Sequence, residues 1–354
     1  DATQRLDVRV LLLRDGPLRA ELERRGVPVD VLPVGSAAGE VARAAWWVRC
    51  LLRRQDPEVV LANGIKAQAV VGPAAALAGY PVVWIKHDHS FDRGLTPPLA
   101  RLARRVVATA EDVAASSARS DVVLIQPSRP AGPWPRPAAR AAVAGHGLDW
   151  RPGRHYLVMT TRLTPYKGVD VAVRALSGAP GWELVVLGGE DPVEPGEPAR
   201  LCRLAATAGV ADRVHLLGHV PDAARLLSAF DALAVLTRDG GPRTPGREGF
   251  GMAAMEAALA GLPVIAPDDG GAVALRTRDG AGLLADPTDP ESVTAALVAL
   301  SNPVTRHRMG TVALARAGRL ATGEEAATRL VEVLCDAASR PGAGLATGRP
   351  VSVV

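Results

Sequence analysis

Short runs of consecutive apolar residues recur along the chain, separated by Ala-, Leu- and Arg-rich stretches long enough for helices. In the first part the runs are Val8–Leu13, Val29–Pro33, Val59–Ala62, Val82–Lys86, Val106–Thr109 and Val122–Ile125. After an interruption come His155–Thr160, Glu183–Leu187, Val214–Leu217, Ala232–Leu236, Pro263–Ala266 and Gly282–Leu284. Continuous rather than alternating apolar runs predict parallel strands buried on both faces. Helices between successive parallel strands imply right-handed βαβ units. The pattern predicts an α/β chain of two doubly wound, Rossmann-like domains facing a cleft, with ligands expected beyond the carboxyl ends of the strands.

The interruption, Gln126–Gly153, carries Pro127, Pro130, Pro133, Pro135 and Pro137 and shows no helical period. It reads as a linker. The predicted division is residues 1–128, a linker at 129–153, a second domain at 154–325, and a C-terminal helix and tail at 326–354. The Gly/Ala/Pro-rich stretch after Arg340 is expected to be disordered. The first domain reads as N-terminally incomplete, because the chain opens almost directly into Val8–Leu13.

Composition narrows the picture. With 354 residues and 48% hydrophobic content the chain can bury two cores. The formal charge of +4 suits anionic small ligands or an anionic membrane surface and is too mild to argue for nucleic acid. Of 41 basic residues only Lys66, Lys86 and Lys167 are lysines, which draws attention to each. Cys50, Cys202 and Cys335 are isolated, with no zinc or disulfide spacing. A reducing cytoplasm is expected, with peripheral contact at the inner membrane face as an addition. No leader is read, and no apolar run of about 18 residues predicts a spanning helix.

The most informative stretch is Arg247-Glu248-Gly249-Phe250-Gly251-Met252-Ala253-Ala254-Met255-Glu256, which runs into a helix stopped by Gly261 before Pro263. Gly251 allows close approach of a ligand to the backbone. The helix start at Met252 and Ala253 offers open N–H groups and the positive dipole end, suited to a diphosphate. Glu256 can accept from both hydroxyls of a ribose, and Glu248 from hydroxyls of a sugar beyond the phosphates. Two plainer readings compete. Gly249–Ala254 matches GxGxxA, but about ten polar residues separate it from its strand, against a dinucleotide site. The two glutamates also fit a solvated helix face.

A second constellation follows the strand His155–Thr160. Arg162 and Lys167, on one loop before Gly168, can meet a diphosphate with a planar fork and a point charge, stabilising the departing nucleotide. The alternative is two solvated loop cations.

Taken together, these residues resemble the GT-B retaining glycosyltransferases of family 4. The likeness rests on Arg162 to Gly168, the turn Leu217-Gly218-His219-Val220-Pro221-Asp222, Glu248-x7-Glu256, Gly261-Leu262-Pro263-Val264-Ile265, and Gly282-Leu283-Leu284 with Asp286-Pro287 and Asp289-Pro290. It implies that Arg162 and Lys167 hold the donor diphosphate and Glu248 contacts the donor sugar. Amides of Gly251, Met252 and Ala253 would cradle the distal phosphate, Glu256 would bind ribose, and the turn at Val220 would meet the base through its backbone. In Val82–His89, His87 matches the family histidine facing the donor sugar, with His89 as second candidate. Asn63-Gly64-Ile65-Lys66 is a candidate for the acceptor side, and Arg101–Arg105 for a membrane-facing basic helix.

The implied activity is transfer of a sugar from a nucleotide-diphosphate donor to a hydroxyl acceptor, in glycan or natural-product biosynthesis. A UDP-sugar is the first expectation for the donor. No cofactor and no metal are expected. The alternative is a non-catalytic GT-B-like subunit that binds the nucleotide sugar. Two departures from the family pattern stand out: its first strand with the glycine-rich loop is missing, and Gly270-Gly271-Ala272-Val273-Ala274 lacks the usual Glu.

Overall fold

The computed structural model describes residues 6–35, 37–92, 94–192, 194–240, 246–268, 277, 279–339 and 351–353. In chain order the first elements are β1 (Leu6–Val8), β2 (Val10–Leu12), α1 (Pro17–Arg24), β3 (Val29–Val31), α2 (Ala38–Gln55), β4 (Val60–Asn63), α3 (Ile65–Ala78), β5 (Val82–Lys86), α4 (Thr96–Leu102), β6 (Arg105–Ala108), α5 (Glu111–Ala115) and β7 (Val123–Leu124). There follow α6 (Arg136–Gly145), β8 (His155–Thr160), α7 (Val169–Ala175), β9 (Trp182–Leu187), α8 (Glu197–Thr207), β10 (Val214–Leu216), β11 (Ala232–Ala234), α9 (Met252–Leu259), β12 (Val264–Ala266), β13 (Gly282–Leu284), α10 (Pro290–Leu300), α11 (Pro303–Ala317), α12 (Gly323–Ala338) and β14 (Val351–Val353). The chain divides into two units, Asp1–Ser128 with Ala321–Val354, and Arg129–Leu320.

In the first unit β4, β5, β6 and β7 form a parallel sheet in sequence order. Side chains alternate across it. Val82 and Trp84 pack with Val48 and Leu52 of α2 and Val70 and Ala74 of α3. Val59, Val83 and Val107 pack on the other side against Leu334 and Ala337 of α12. Both faces are thus covered, which is why these strands read as unbroken apolar runs. The predicted strand Val8–Leu13 divides at Arg9: β1 pairs with β14 and β2 with β3, all parallel.

The second unit is built on a six-stranded parallel sheet in the order β10-β9-β8-β11-β12-β13. Leu157 and Met159 of β8 face a core with α7, α8 and α10, whereas Tyr156 and Val158 face α6 and α9. The chain runs outward from β8 through β9 to β10, then returns to lay β11 on the other side of β8. That reversal opens a crevice between the loops that follow β8 and β11, the place where such sheets bind ligands.

Three expectations change here. Residues read as a linker contain α6, whose Ala139 and Val143 are buried in the second unit's core. The prolines misled because Pro135 and Pro137 occupy the cap and first turn of α6, where a missing N–H costs nothing. The tail, expected to be disordered, supplies β14. Arg104 and Arg105 are not a free basic face, since they bond the Ser339 carbonyl and Asp336. Residues Gly270–Ala274 lie outside the described residues.

Candidate functional site

Two close approaches shape the loop after β8. A Cβ on Gly188 would lie 1.7 Å from the Thr161 carbonyl oxygen, and one on Gly168 would lie 2.3 Å from that of Leu236. Gly168 also has φ near +72°, a region that side chains other than glycine rarely enter. The ends of β8, β9 and β11 therefore crowd together, and the side chains that leave them converge.

Lys167 and Glu248 meet in this crevice. The Lys167 ammonium donates to Glu248 Oε1 and, at 3.3 Å, to Thr237 Oγ1; the Thr237 hydroxyl also donates to Glu248 Oε1. The loop after β8 and the approach to α9 are joined by this three-sided contact. Thr237 is buried, while the Lys167 and Glu248 side chains keep about a fifth of their surface open, at 21% and 20%.

Arg162 takes a different partner, Asp191 from the loop after β9, and reaches the Tyr166 hydroxyl at 3.4 Å. The Lys167 ammonium lies 5.3 Å from the centroid of that same tyrosine ring. Tyr166 thus stands beside both cations. Arg238, next to Thr237, braces the turn from below: its guanidinium donates to both Asp170 oxygens at 2.9 Å and to the Pro165 carbonyl at 3.0 Å.

Gly251 caps α9 with φ 74° and ψ 59°, and no side chain caps the helix. Among the described residues no side chain takes the N–H groups of its first turn, at Met252 and Ala253. One turn further in, Glu256 is half-buried. Burial pushes its carboxyl above the ordinary glutamate range, and among the described residues no side-chain hydrogen bond relieves it. The Val220 side chain is buried in the core beside α6 and α9. The adjacent Gly218 carbonyl accepts from Gly188 N–H at 2.8 Å, tying this turn to the end of β9.

His87 belongs to the first unit, at the end of β5. Its Nε2 contacts Asn63 Oδ1 at the end of β4, so a neutral ring donates there and leaves Nδ1 as an acceptor. Desolvation lowers its pKa, against a raising effect from Asp88. Its carbonyl accepts from the Thr109 hydroxyl at 3.2 Å. His89, the second candidate, is buried between two carboxylates, Asp92 at 3.0 Å and Asp112 at 3.3 Å. Lys86, only 2% exposed, pairs with Asp92 at 2.6 Å and bonds Ser116. Burial works to raise Asp92 and Asp112, but the hydrogen bonds from their buried partners outweigh it and hold both below the usual carboxylate range. His89 is thereby a member of a buried charge network rather than a ligand-facing group. Among the described residues, no cluster of three or more His, Cys, Asp or Glu side chains is arranged to hold a metal ion.

Sequence reasoning passed over Thr237, Asp191 and Tyr166, and reads Arg238 only as the start of an insertion beside the site, Arg238–Gly246, of which residues 241–245 lie outside the described residues. Thr237 directly follows a predicted strand end and Tyr166 lies within the quoted loop, so position was a signal for these two. Asp191 and Arg238 belong to no motif.

Residues 147–315 match the family model for glycosyl transferases group 1, and residues 2–120 match a glycosyl transferase 4-like domain. A D-inositol 3-phosphate glycosyltransferase of Acidothermus cellulolyticus is 38% identical over 168 residues, covering 45% of this chain and 36% of that enzyme's length. A GDP-mannose-dependent alpha-(1-6)-phosphatidylinositol monomannoside mannosyltransferase of Mycobacterium tuberculosis is 30% identical over 295 residues, 77% of this chain and 73% of that one. The chain is a member of the group 1 glycosyltransferases. In structure this glycosyltransferase resembles Anabaena HepE in complex with UDP and glucose, with a TM-score of 0.75 at 21% identity, covering 93% of this chain and 91% of that one. It also resembles the lipopolysaccharide glycosyltransferase WaaG, with a TM-score of 0.64 at 18% identity, covering 92% and 98%. These neighbours share the GT-B fold, which is the α/β architecture expected.

Proposed function

We propose that this enzyme is a retaining glycosyltransferase that moves a sugar from a nucleoside diphosphate to a hydroxyl acceptor without a metal ion. The observation that carries the reading is the crevice between the loops after β8 and β11. Lys167 lies there on Glu248, Arg162 stands beside the same tyrosine, and the open start of α9 follows three residues after Glu248. Lys167, Arg162 and the α9 amides would take the charge that develops on the departing diphosphate. Glu248 would hold sugar hydroxyls, and the half-buried Glu256 the ribose. By the family resemblance, His87 would meet the donor sugar. As the bond from the anomeric carbon to the diphosphate breaks, the acceptor oxygen bonds that carbon from the same face, and its proton passes to the departing phosphate oxygen. No protein nucleophile is required.

A UDP-sugar is the proposed donor; GDP-mannose, named for the mycobacterial relative, is the competing one. Two relatives are named for inositol-based acceptors, so inositol phosphates and a phosphatidylinositol glycoside head the acceptor panel. A lipid-borne acceptor goes with peripheral contact at a membrane surface.

The test is a thermal-shift screen of UDP-, GDP- and dTDP-sugars, followed by a transfer assay with product NMR. One nucleotide sugar should raise the melting temperature. The new linkage should keep the donor's anomeric configuration, and EDTA should not slow it. Inversion of that configuration, or no response to any nucleotide, overturns the reading; binding without transfer marks a non-catalytic subunit.

A further inference from the structure

Lys86 is one of three lysines in the chain, and the crevice of the second unit does not use it. It ends β5 with 2% of its surface exposed, beside the exposed His87. The ammonium pairs with Asp92 Oδ1 at 2.6 Å and donates to Ser116 Oγ at 2.9 Å. His89, also buried, sets Nδ1 on Asp92 Oδ2 at 3.0 Å and Nε2 on Asp112 Oδ2 at 3.3 Å. Both carboxylates are held below the usual range, so both are ionised at neutral pH. An ionised carboxylate only accepts; both His89 nitrogens therefore donate, and the ring is charged. Two buried cations thus face two carboxylates.

A buried ion cluster is a poor source of stability, because desolvation offsets the attraction between its charges. This one ties down a stretch of backbone. The Lys86 ammonium also donates to the Asp88 carbonyl, and the Thr109 hydroxyl donates to the His87 carbonyl at 3.2 Å. Asp88 Oδ1 accepts from the Ser90 N–H at 2.9 Å. Phe91, between the anchored His89 and Asp92, has φ near +59°, which a bulky residue keeps only where its surroundings impose it. The His87 ring itself is met by Asn63. Three neighbouring strand ends therefore converge on one imidazole: β4 through Asn63, β5 through Lys86, and β6 through Thr109.

We propose that Lys86, His89, Asp92 and Asp112 are positioning residues that fix the end of β5 and hold the His87 imidazole in one orientation. In that orientation Nε2 donates to Asn63 and Nδ1 is left as the acceptor. The proposal rests on the role given to His87 in the reading above and names what keeps that side chain in place. None of the four need touch a substrate; they act through the backbone on either side of His87. Without the Lys86 ammonium, the Asp88 carbonyl and Asp92 lose a buried cation. The loop would then relax, and the imidazole would sample both tautomers and more than one rotamer. A group displaced by about 1 Å from its working geometry forfeits much of its effect on the reaction.

The test uses the full chain, NMR of ring-nitrogen-labelled histidine at a pH where His87 is neutral, and the transfer assay. Of the seven histidines, His87 is identified by the signals lost in His87→Ala. The parent should show a single His87 tautomer protonated on Nε2, whereas Lys86→Met and, separately, Asp112→Asn should show averaged signals of both tautomers. Each variant should keep a cooperative melting transition and the nucleotide-induced thermal shift, yet lower kcat about 10- to 100-fold. In the His87→Ala background neither should lower kcat further. A parent-like His87 spectrum in both variants overturns the proposal, whatever turnover does. So does a fall in kcat that repeats in full on His87→Ala, because the effect then runs through the fold at large. If Lys86→Met does not fold, Asp112→Asn, of the same bulk as the parent, decides by the same readouts; collapse of both makes the cluster structural and also overturns it. If the spectra change as expected but His87→Ala turns over like the parent, the positioning stands and the role of His87 in the reaction is what fails.

Discussion

Lys167 is held by Glu248 and Thr237 in a crevice that water still reaches. A partly exposed ion pair of this kind contributes little to folding, of the order of 0–1 kcal/mol. A cation aimed at a departing diphosphate contributes far more to the transition state. Lys167→Ala should therefore lower kcat by about 100- to 1000-fold while the melting temperature hardly moves. Parent-like turnover, or a collapse of stability in step with activity, would show that the lysine is structural. Glu256 gives a prediction of a different kind. Its pKa is raised by burial, so it protonates at a higher pH than an exposed glutamate as the solution is acidified. Once protonated it loses acceptor capacity for a ribose diol. Nucleotide affinity should begin to fall on the acid side above the ordinary glutamate range. Glu256→Gln should flatten that limb and weaken binding about tenfold at neutral pH, the magnitude of a charge-assisted hydrogen bond; titration calorimetry across pH separates the outcomes. At this scale the sequence was readable where residues share a motif. Arg162, Lys167, Glu248 and Glu256 stand in recognisable spacings. Thr237 and Asp191 reach them only because distant segments are folded together, Thr237 being 70 positions from Lys167 and Asp191 29 from Arg162.

At the scale of elements, glycine decides how closely the site loops approach. Gly168 meets the Leu236 carbonyl, and Gly153 has a similar φ of +75° with nothing within 4 Å of its added Cβ. Gly168→Ala should thus cost about 2–4 kcal/mol, combining backbone strain with overpacking. Gly153→Ala should cost about 1–2 kcal/mol, from strain alone. Equal costs in denaturant unfolding would mean that the loop after β8 gives way easily. The helix α6 shows how an element escapes a reading of the chain: its prolines signalled a break, but its Ala139 and Val143 one turn apart found a core to enter. The exposure of Trp46 and Trp47 on α2 escaped for another reason: neither belongs to a motif, and only the packed structure shows them facing outward.

For the molecule as a whole, the order of strands places the chemistry. The sequence alone determined that these strands are parallel and doubly covered, because continuous apolar runs have no other economical arrangement, and it marked the glutamates and cations by their spacing. It could not determine which strands become neighbours. The sheet reverses between β8 and β11, and that choice makes one crevice out of loops separated by some seventy positions. Nor could it show that α12, far along the chain, covers the sheet of the first unit. Periodicity is a local property, set by the pleat and the helical turn, and survives in the linear order of residues. Neighbourhood depends on which buried surfaces fit one another, and that is settled only when the whole chain packs.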